Sequence, residues 1–348
     1  MDIKKRNINI DLIKCIAVFS VISIHFFANA NFYNQKINNN IMYMHTTFRC
    51  LFMICVPLFL ITTGYLMNKK SISKKYYLSI IRVLLIYLLT TISVLIYYLI
   101  KDNIPMTIKY FIKGITTFDT GYSWYIEMYL GLFLIIPFIN LIYHNLKNKK
   151  EKKLLIITML IITSLPGIAN CKYRLIPDWY MQFYPLTYYF IGCYLSEYKI
   201  NINKYLNAFL FIISVSISGI INILLSYNDI FLRGIHNDWP SILNVVPTTL
   251  IFIFILNLDL TKAPHKIKKI IYKISELSLG TYLMSCIIDN FLYFDYYKGI
   301  NFLSILGYFK IVPLTFILSL SLSMIINVIY KMIDKYIVNK LLTAFIKQ

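Results

Sequence analysis

The chain alternates long apolar runs with short polar stretches. The runs are roughly 17 to 25 residues long, and as helices they are long enough to cross a hydrocarbon core about 30 Å thick. Every backbone amide inside lipid must be paired within the protein, so each run is predicted to be a transmembrane α-helix. About ten spans are predicted, at 10–30, 48–68, 78–101, 122–144, 152–168, 180–196, 205–226, 241–258, 274–293 and 306–330.

The composition also indicates a membrane protein. Hydrophobic residues make up 58% of the 348 residues and charged residues only 14%, whereas a soluble domain is about 25% charged. The connections between spans are too short to form a soluble domain of their own. We therefore expect an all-α, multi-pass protein of the cell membrane, with residues 1–348 forming a single transmembrane domain in the lipid bilayer.

The net charge of +20 is concentrated in alternate loops. Basic residues are dense after the second, fourth and eighth predicted spans, at 69–75, 147–153 and 262–273, and sparser in the loops between. By the positive-inside rule these loops are cytoplasmic, and both chain ends are expected there too. The same placement argues against nucleic-acid binding. The sequence allows two explanations of this basic inner face. It is either a result of the membrane topology alone, or it also attracts an anionic cytoplasmic ligand.

The first span has one competing interpretation. A basic segment, an apolar run and the triplet Ala28-Asn29-Ala30 resemble a cleavable signal peptide. Asp11, Lys14 and His25 interrupt that run, so a retained first helix is favoured.

The six cysteines carry no metal or disulfide signature. None has the spacing of zinc ligands, and five fall within predicted spans, where cysteine is usually a small buried apolar residue. No metal and no disulfide framework are expected.

Ionisable residues inside the spans are the candidate site residues, because a charge in hydrocarbon is costly. The first span holds Asp11, Lys14 and His25. Lys14 and His25 are eleven residues apart, or about three helical turns and roughly 16 Å, so they point in similar directions. This spacing joins a basic group at the cytoplasmic boundary to a buried imidazole. The alternatives are a simple Asp11–Lys14 ion pair and a histidine that only packs.

Four further residues are candidates near the ends of other spans. Arg82 enters the third span, and either reaches the lipid headgroups or joins Lys14 in holding phosphates. Arg49 and Glu127 lie near the outer boundary and form a possible distant pair. Trp124 fits the aromatic belt at that boundary, which is the simpler interpretation.

Several segments resemble the membrane acyltransferase-3 family, in order along nearly the whole chain. They are 6–14 (RNINIDLIK) running on to His25, 56–66 (VPLFLITTGYL), 123–125 (SWY) with 130–137 (LGLFLIIP), 189–195 (YFIGCYL) and 277–283 (LSLGTYL). None of these motifs is specific alone, and their order and spacing together carry the resemblance.

The resemblance implies an O-acyltransferase that moves an acyl group, usually acetyl, from cytoplasmic acyl-CoA to a hydroxyl of an extracytoplasmic cell-envelope glycan. His25 would be the catalytic base or a transient acyl carrier. Lys14 and Arg82 would bind the phosphates of CoA, with Asp11 orienting Lys14. Arg49, Glu127 and Trp124 would face the glycan.

The chain departs from the family pattern at three positions. The family often has arginine where this chain has Lys14, which gives a point charge instead of a planar fork. A paired-arginine motif is reduced to Ser79-Ile80-Ile81-Arg82, which keeps the second arginine. Many members have histidine where this chain has Ser285.

A glycan or lipid-linked sugar exporter without chemistry is the alternative function. Many spans with few buried charges suit both functions, whereas the Lys14–His25 spacing is needed only for acyl transfer. Loop composition does not select among capsule, teichoic acid, peptidoglycan or a small sugar as acceptor, and it does not indicate the oligomeric state.

Overall fold

The computed structural model describes residues 6–105, 107–171, 173–297 and 302–338. Within these ranges the chain is helical, and its β-type pairing is limited to two isolated bridges that join residues 36–37 to residues 227 and 230. The all-α prediction is therefore confirmed.

Fourteen α-helices are assigned in the described residues. They are α1 (Ile8–Asn29), α2 (Asn40–Phe52), α3 (Cys55–Met67), α4 (Lys74–Leu78), α5 (Ile81–Lys101), α6 (Ile108–Thr116), α7 (Trp124–Asn145), α8 (Lys149–Thr163), α9 (Leu165–Ala169), α10 (Tyr184–Glu197), α11 (Lys204–Leu225), α12 (Ile242–Leu256), α13 (His265–Asp289) and α14 (Ile305–Ile333). Short 3₁₀ turns lie at Phe32–Asn34 and Met181–Phe183, and π-helical turns follow α13 and α14 at Asn290–Tyr296 and Asp334–Val338.

Eight helical segments in the described chain are long and apolar enough to cross a membrane. They correspond to eight of the ten predicted spans. The predicted spans at 180–196 and 241–258 correspond instead to the shorter helices α10 and α12, of 14 and 15 residues. The count of ten and the cytoplasmic placement of both ends stay predictions.

Polar side chains set where several helices begin. The Asn7 side chain accepts a hydrogen bond from the Asn9 amide and starts α1, and Asn39 does the same for Met42 at the start of α2. Ser73, Asn148 and Asn203 cap α4, α8 and α11. Such caps satisfy amides that have no partner within the first helical turn.

The described chain forms two compact units. Unit 1 comprises Met1–Lys69, Ile142–Ser275 and Asn301–Lys310. Its tightest helix pair is α3 with α10, whose backbones touch where Gly64 meets Tyr189 and Gly192 meets Ile61. The side-chain amide of Asn9 donates to the Ile255 carbonyl at 2.6 Å, which joins the start of α1 to the end of α12.

Unit 2 comprises Lys70–Leu141, Glu276–Ile300 and Ile311–Gln348. The Tyr76 ring stacks on Phe133 with centroids 4.4 Å apart, and its hydroxyl donates to the Phe133 carbonyl at 2.6 Å. An ion pair of 2.6 Å between Lys331 and Glu276 joins α14 to α13. Whether residues 1–348 form the single domain that the sequence predicts depends on how the two units are joined. The single domain therefore stays a prediction.

Candidate functional site

Helix α1 in unit 1 carries the candidate base and the candidate donor-binding lysine. It runs without interruption over 22 residues, so the helical spacing of Lys14 and His25 is kept, at roughly 16 Å along the axis. His25 is half-buried, and its Nδ1 atom is screened from solvent. The sequence-based geometry of this pair is therefore present in the fold.

Aromatic side chains pack around α1 in the turn that contains His25. The Tyr308 hydroxyl lies 2.9 Å from the Ser23 hydroxyl, two residues before His25. The Tyr308 ring packs edge-on against Phe26 at 5.2 Å and stacks on Phe52 at 5.7 Å. These contacts enclose the Phe26 side of α1 in aromatic side chains. The sequence analysis did not identify Tyr308.

Asp11 has a different partner from the expected one. The Arg6 guanidinium donates to both carboxylate oxygens of Asp11, at 3.1 and 2.5 Å, and the Ser275 hydroxyl also donates to this carboxylate. The Arg6 guanidinium also lies 5.1 Å from the Tyr272 ring centre. Arg6, and not Lys14, is therefore the ion-pair partner of Asp11. Asp11 holds the first turn of α1 against α13, so its proposed orienting effect on Lys14 would act through space.

Lys14 is half-buried one turn beyond Asp11. Among the residues that the structure describes, its ammonium makes no ion pair or hydrogen bond. The next residue, Cys15, donates its thiol to the Ile271 carbonyl at 3.3 Å, so α13 runs alongside this part of α1. The Lys14 ammonium is therefore not committed to a carboxylate of the described residues.

Arg82 lies in unit 2 near the start of α5. Its Nε atom donates to Asp334 at 3.0 Å, and the guanidinium side chain stays 43% exposed. The sequence analysis missed Asp334 because 252 residues separate it from Arg82. An anion binding at Arg82 would have to share the guanidinium with this carboxylate.

The outer-boundary candidates lie in different units. Arg49 is buried in unit 1 on α2, while Glu127 and Trp124 lie in unit 2 at the start of α7. Glu127 is exposed, and Trp124 packs edge-on against Tyr125 at 6.1 Å. Arg49 makes no ion pair within the described part of unit 1, and its predicted pairing with Glu127 of the other unit stays a prediction.

Arg49 is held by residues that the sequence analysis did not identify. Its Nε atom donates to the Tyr33 hydroxyl at 3.0 Å and its Nη1 atom to the Asn237 carbonyl at 3.5 Å. Its guanidinium also lies 4.5 Å from the centre of the Phe231 ring. Tyr33 lies between α1 and α2, and Phe231 and Asn237 lie between α11 and α12, so no local sequence pattern links the three to Arg49.

Comparison with known proteins gives one match. A family described as an acyltransferase domain matches residues 7–325, and so covers most of the chain. No curated protein and no solved structure matches the chain.

Proposed function

The chain belongs to the acyltransferase-3 family, and on that premise we propose that it transfers an acyl group from cytoplasmic acyl-CoA to a hydroxyl of an extracytoplasmic cell-envelope glycan. The family and the eight apolar helices identify a membrane acyltransferase. Acetyl as the acyl group, CoA as the donor, the glycan as the acceptor and the cell membrane as the location belong to the proposal.

The observation that carries the proposal is the Lys14–His25 pair on one unbroken helix. Lys14 makes no ion pair within the described chain, so its ammonium is available to the proposed donor. His25 lies roughly 16 Å farther along the same helix. A donor whose phosphates are bound at Lys14 would extend its thioester arm along α1 to the imidazole. Only the acyl group would then need to pass to the outer side.

His25 is assigned as the general base. Its imidazole would accept the proton of the acceptor hydroxyl as that oxygen attacks the thioester carbonyl. The C–S bond breaks when the tetrahedral intermediate collapses, and the imidazolium returns the proton to the departing CoA sulfur. In the covalent variant an imidazole nitrogen attacks first, the C–S bond breaks and the ring N–H proton passes to the CoA sulfur, which leaves as the thiol. The acceptor hydroxyl then attacks the acyl-imidazole, takes the acyl group and returns its proton to the ring.

Lys14 in unit 1 and Arg82 in unit 2 are each assigned to donor binding. Both side chains are cationic groups that suit phosphate, and a charge-assisted hydrogen bond is about twice as strong as a neutral one. The change from arginine to Lys14 keeps the charge and loses the bidentate fork. Arg49, Glu127 and Trp124 are assigned to the acceptor side.

The experiment uses membrane vesicles containing the chain and an acyl-CoA labelled in its acyl group. Acyl transfer predicts label on the envelope glycan and release of free CoA, both lost in His25→Gln. An exporter would move unlabelled glycan equally well in the native protein and the variant, and that result would replace the proposed function.

A further inference from the structure

Arg49 is a buried cation without a carboxylate partner in the described chain. It is only 7% exposed, and Asp229 and Asp238, the acidic residues of the nearby loop, make their side-chain hydrogen bonds to the amides of Ile230 and Trp239. Moving an ion out of water costs several kcal/mol unless an opposite charge or hydrogen bonds compensate. A missing counter-ion therefore needs an explanation.

The protein uses only part of the hydrogen-bonding capacity of Arg49. A guanidinium has five N–H donors. Two of them are directed to the Tyr33 hydroxyl and the Asn237 carbonyl, and the described residues provide no acceptor for the other three. The Phe231 ring covers the guanidinium at 4.5 Å and supplies cation–π attraction but no negative charge. The free donors suit a carboxylate or phosphate.

A second arginine contacts the same tyrosine. The Arg233 guanidinium lies 3.7 Å from the centre of the Tyr33 ring, and the Arg49 guanidinium lies 5.8 Å from it. Arg233 is exposed and makes no ion pair in the part of the chain that the structure describes. Both guanidinium groups therefore lie near one ring, where their like charges repel each other, and a bound anion would reduce this repulsion. We call Tyr33, Arg49, Phe231, Arg233 and Asn237 the arginine cluster.

The arginine cluster is connected to the end of α1 that carries His25. Phe27 packs on Phe32 at 5.4 Å, and Phe32 packs on Phe231 at 5.4 Å. Phe27 also contacts His45 at 6.0 Å, and His45 lies one turn before Arg49 on α2. These contacts lie within unit 1. Two successive ring contacts, Phe27 with Phe32 and Phe32 with Phe231, therefore link the segment just after His25 to the arginine cluster.

Two histidines lie near Arg49, and neither of them supplies a negative charge that would neutralise the cluster. Neither ring nitrogen of the buried His45 has a hydrogen-bond partner among the described residues. Burial and the positive charge of Arg49 lower the pKa of His236 below its usual range, so His236 is neutral at pH 7. His236 contacts the Asn237 side chain at 3.0 Å, and this contact helps to fix the loop that supplies the carbonyl to Arg49.

We propose that the arginine cluster binds an anionic group of the acceptor, so that the acceptor is an acidic glycan carrying a carboxylate or a phosphate. This inference rests on the proposed function for the identity of the acceptor. Arg49 would grip two oxygens of the anion from its buried side, while Arg233 would close on it from the exposed side. The hydroxyl to be acylated would then be presented toward His25.

The test measures binding of matched sugars to the full chain in nanodiscs of zwitterionic lipid. The probes are methyl glucoside, glucuronate and glucose 6-phosphate, which differ mainly in charge. At least one acidic sugar should bind, and methyl glucoside should bind at least about thirtyfold more weakly. Arg49→Gln should remove at least about thirtyfold of the acidic-sugar affinity, and Arg49→Lys should lose less because it keeps the charge without the fork.

The matched control is Arg174→Gln. Arg174 lies in another loop and is already ion-paired with Asp178 at 2.6 Å, so the change removes the same charge without affecting the cluster. Acidic-sugar binding should be unchanged in this variant. Elution of Arg49→Gln as a single peak in detergent, together with the helical content of the native protein, would show that the variant is folded.

Three outcomes would overturn the inference. They are equal binding of the neutral and acidic sugars, acidic-sugar binding that survives Arg49→Gln, and displacement of the sugar by anionic lipid, which would make a headgroup phosphate the occupant. The His25→Gln variant should bind acidic sugar normally. If the native protein binds acidic sugar but transfers no acyl group, the proposed function is contradicted and the anion site stands. If the native protein acylates a neutral glycan and Arg49→Gln does not change that transfer, the proposed function stands and the anion site is contradicted.

Discussion

The close contact of α3 and α10 predicts that Gly192→Ala strongly destabilises the protein. A Cβ atom at position 192 would lie 2.1 Å from the Ile61 carbonyl oxygen and 2.8 Å from the Tyr65 amide nitrogen. The contact is reciprocal, because a Cβ at Gly64 would lie 2.0 Å from the Tyr189 carbonyl oxygen. These neighbours are backbone atoms of a helix, so they cannot rotate away as a side chain would.

The size of the effect follows from the overlap. Close carbon-to-oxygen contacts between helices are about 3.3 Å or longer, so the helices would have to separate by roughly 1 Å. Overpacking of this kind typically costs about 1 to 3 kcal/mol and occasionally more. We expect Gly192→Ala at the upper end of that range, because two backbone groups are affected.

The assay is thermal unfolding of purified protein, followed by tryptophan fluorescence in one detergent. The control is Gly131→Ala in α7, where a Cβ would meet no atom within 4 Å. That change should be neutral or raise stability by up to about 1 kcal/mol through helix propensity. The double change Gly64→Ala with Gly192→Ala should cost less than the sum of the two, since the first already separates the helices. Equal stability of Gly192→Ala and Gly131→Ala would refute the reasoning.

Three further predictions concern the donor site, the topology and pH. Lys14→Ala and Arg82→Ala should each weaken acyl-CoA binding, while Lys14→Arg preserves it. A titration with CoA that shows no change in either alanine variant would contradict the assignment of these residues to donor binding. Topology reporters should indicate cytoplasm after Lys75, Lys153 and Lys269 and the outside near Lys113, Arg174 and Asn237; two or more inverted reporters would contradict the topology. His236 has a lowered pKa in the fold, so its neutral form stabilises the protein fully above about pH 6.5, and this contribution is lost as pH falls. In His236→Gln the melting temperature should fall less between pH 7 and pH 5 than in the native protein. An unchanged fall would show that His236 is not the group responsible for this pH dependence.

The helices were largely readable from the sequence because apolar runs lie between capping residues. The predicted first span at 10–30 corresponds to Ile8–Asn29, which begins after Asn7. The predicted span at 180–196 is shorter, because residues Met181–Phe183 form a 3₁₀ turn and α10 starts at Tyr184 beside Pro185. Hydropathy registers the apolar composition of that segment and not its local geometry.

The long-range contacts of the candidate site could not be predicted from the sequence. Arg6 pairs with Asp11, which follows it by five residues, while helical spacing favoured Lys14 as the partner. Asn237 approaches Arg49 across 188 residues of sequence, so no local pattern links them. The close approach at Gly64 and Gly192 likewise depends on which helices pair, which periodicity does not specify.

The central claim is that His25 performs acyl transfer. The most direct measurement is the initial rate of label transfer from acyl-CoA to the envelope glycan, for native protein and His25→Gln at matched protein level. Glutamine keeps much of the size and hydrogen bonding of imidazole but has no usable proton affinity near neutrality. The account predicts a loss of at least about a hundredfold in the rate with unchanged CoA binding. A native rate in His25→Gln would contradict it.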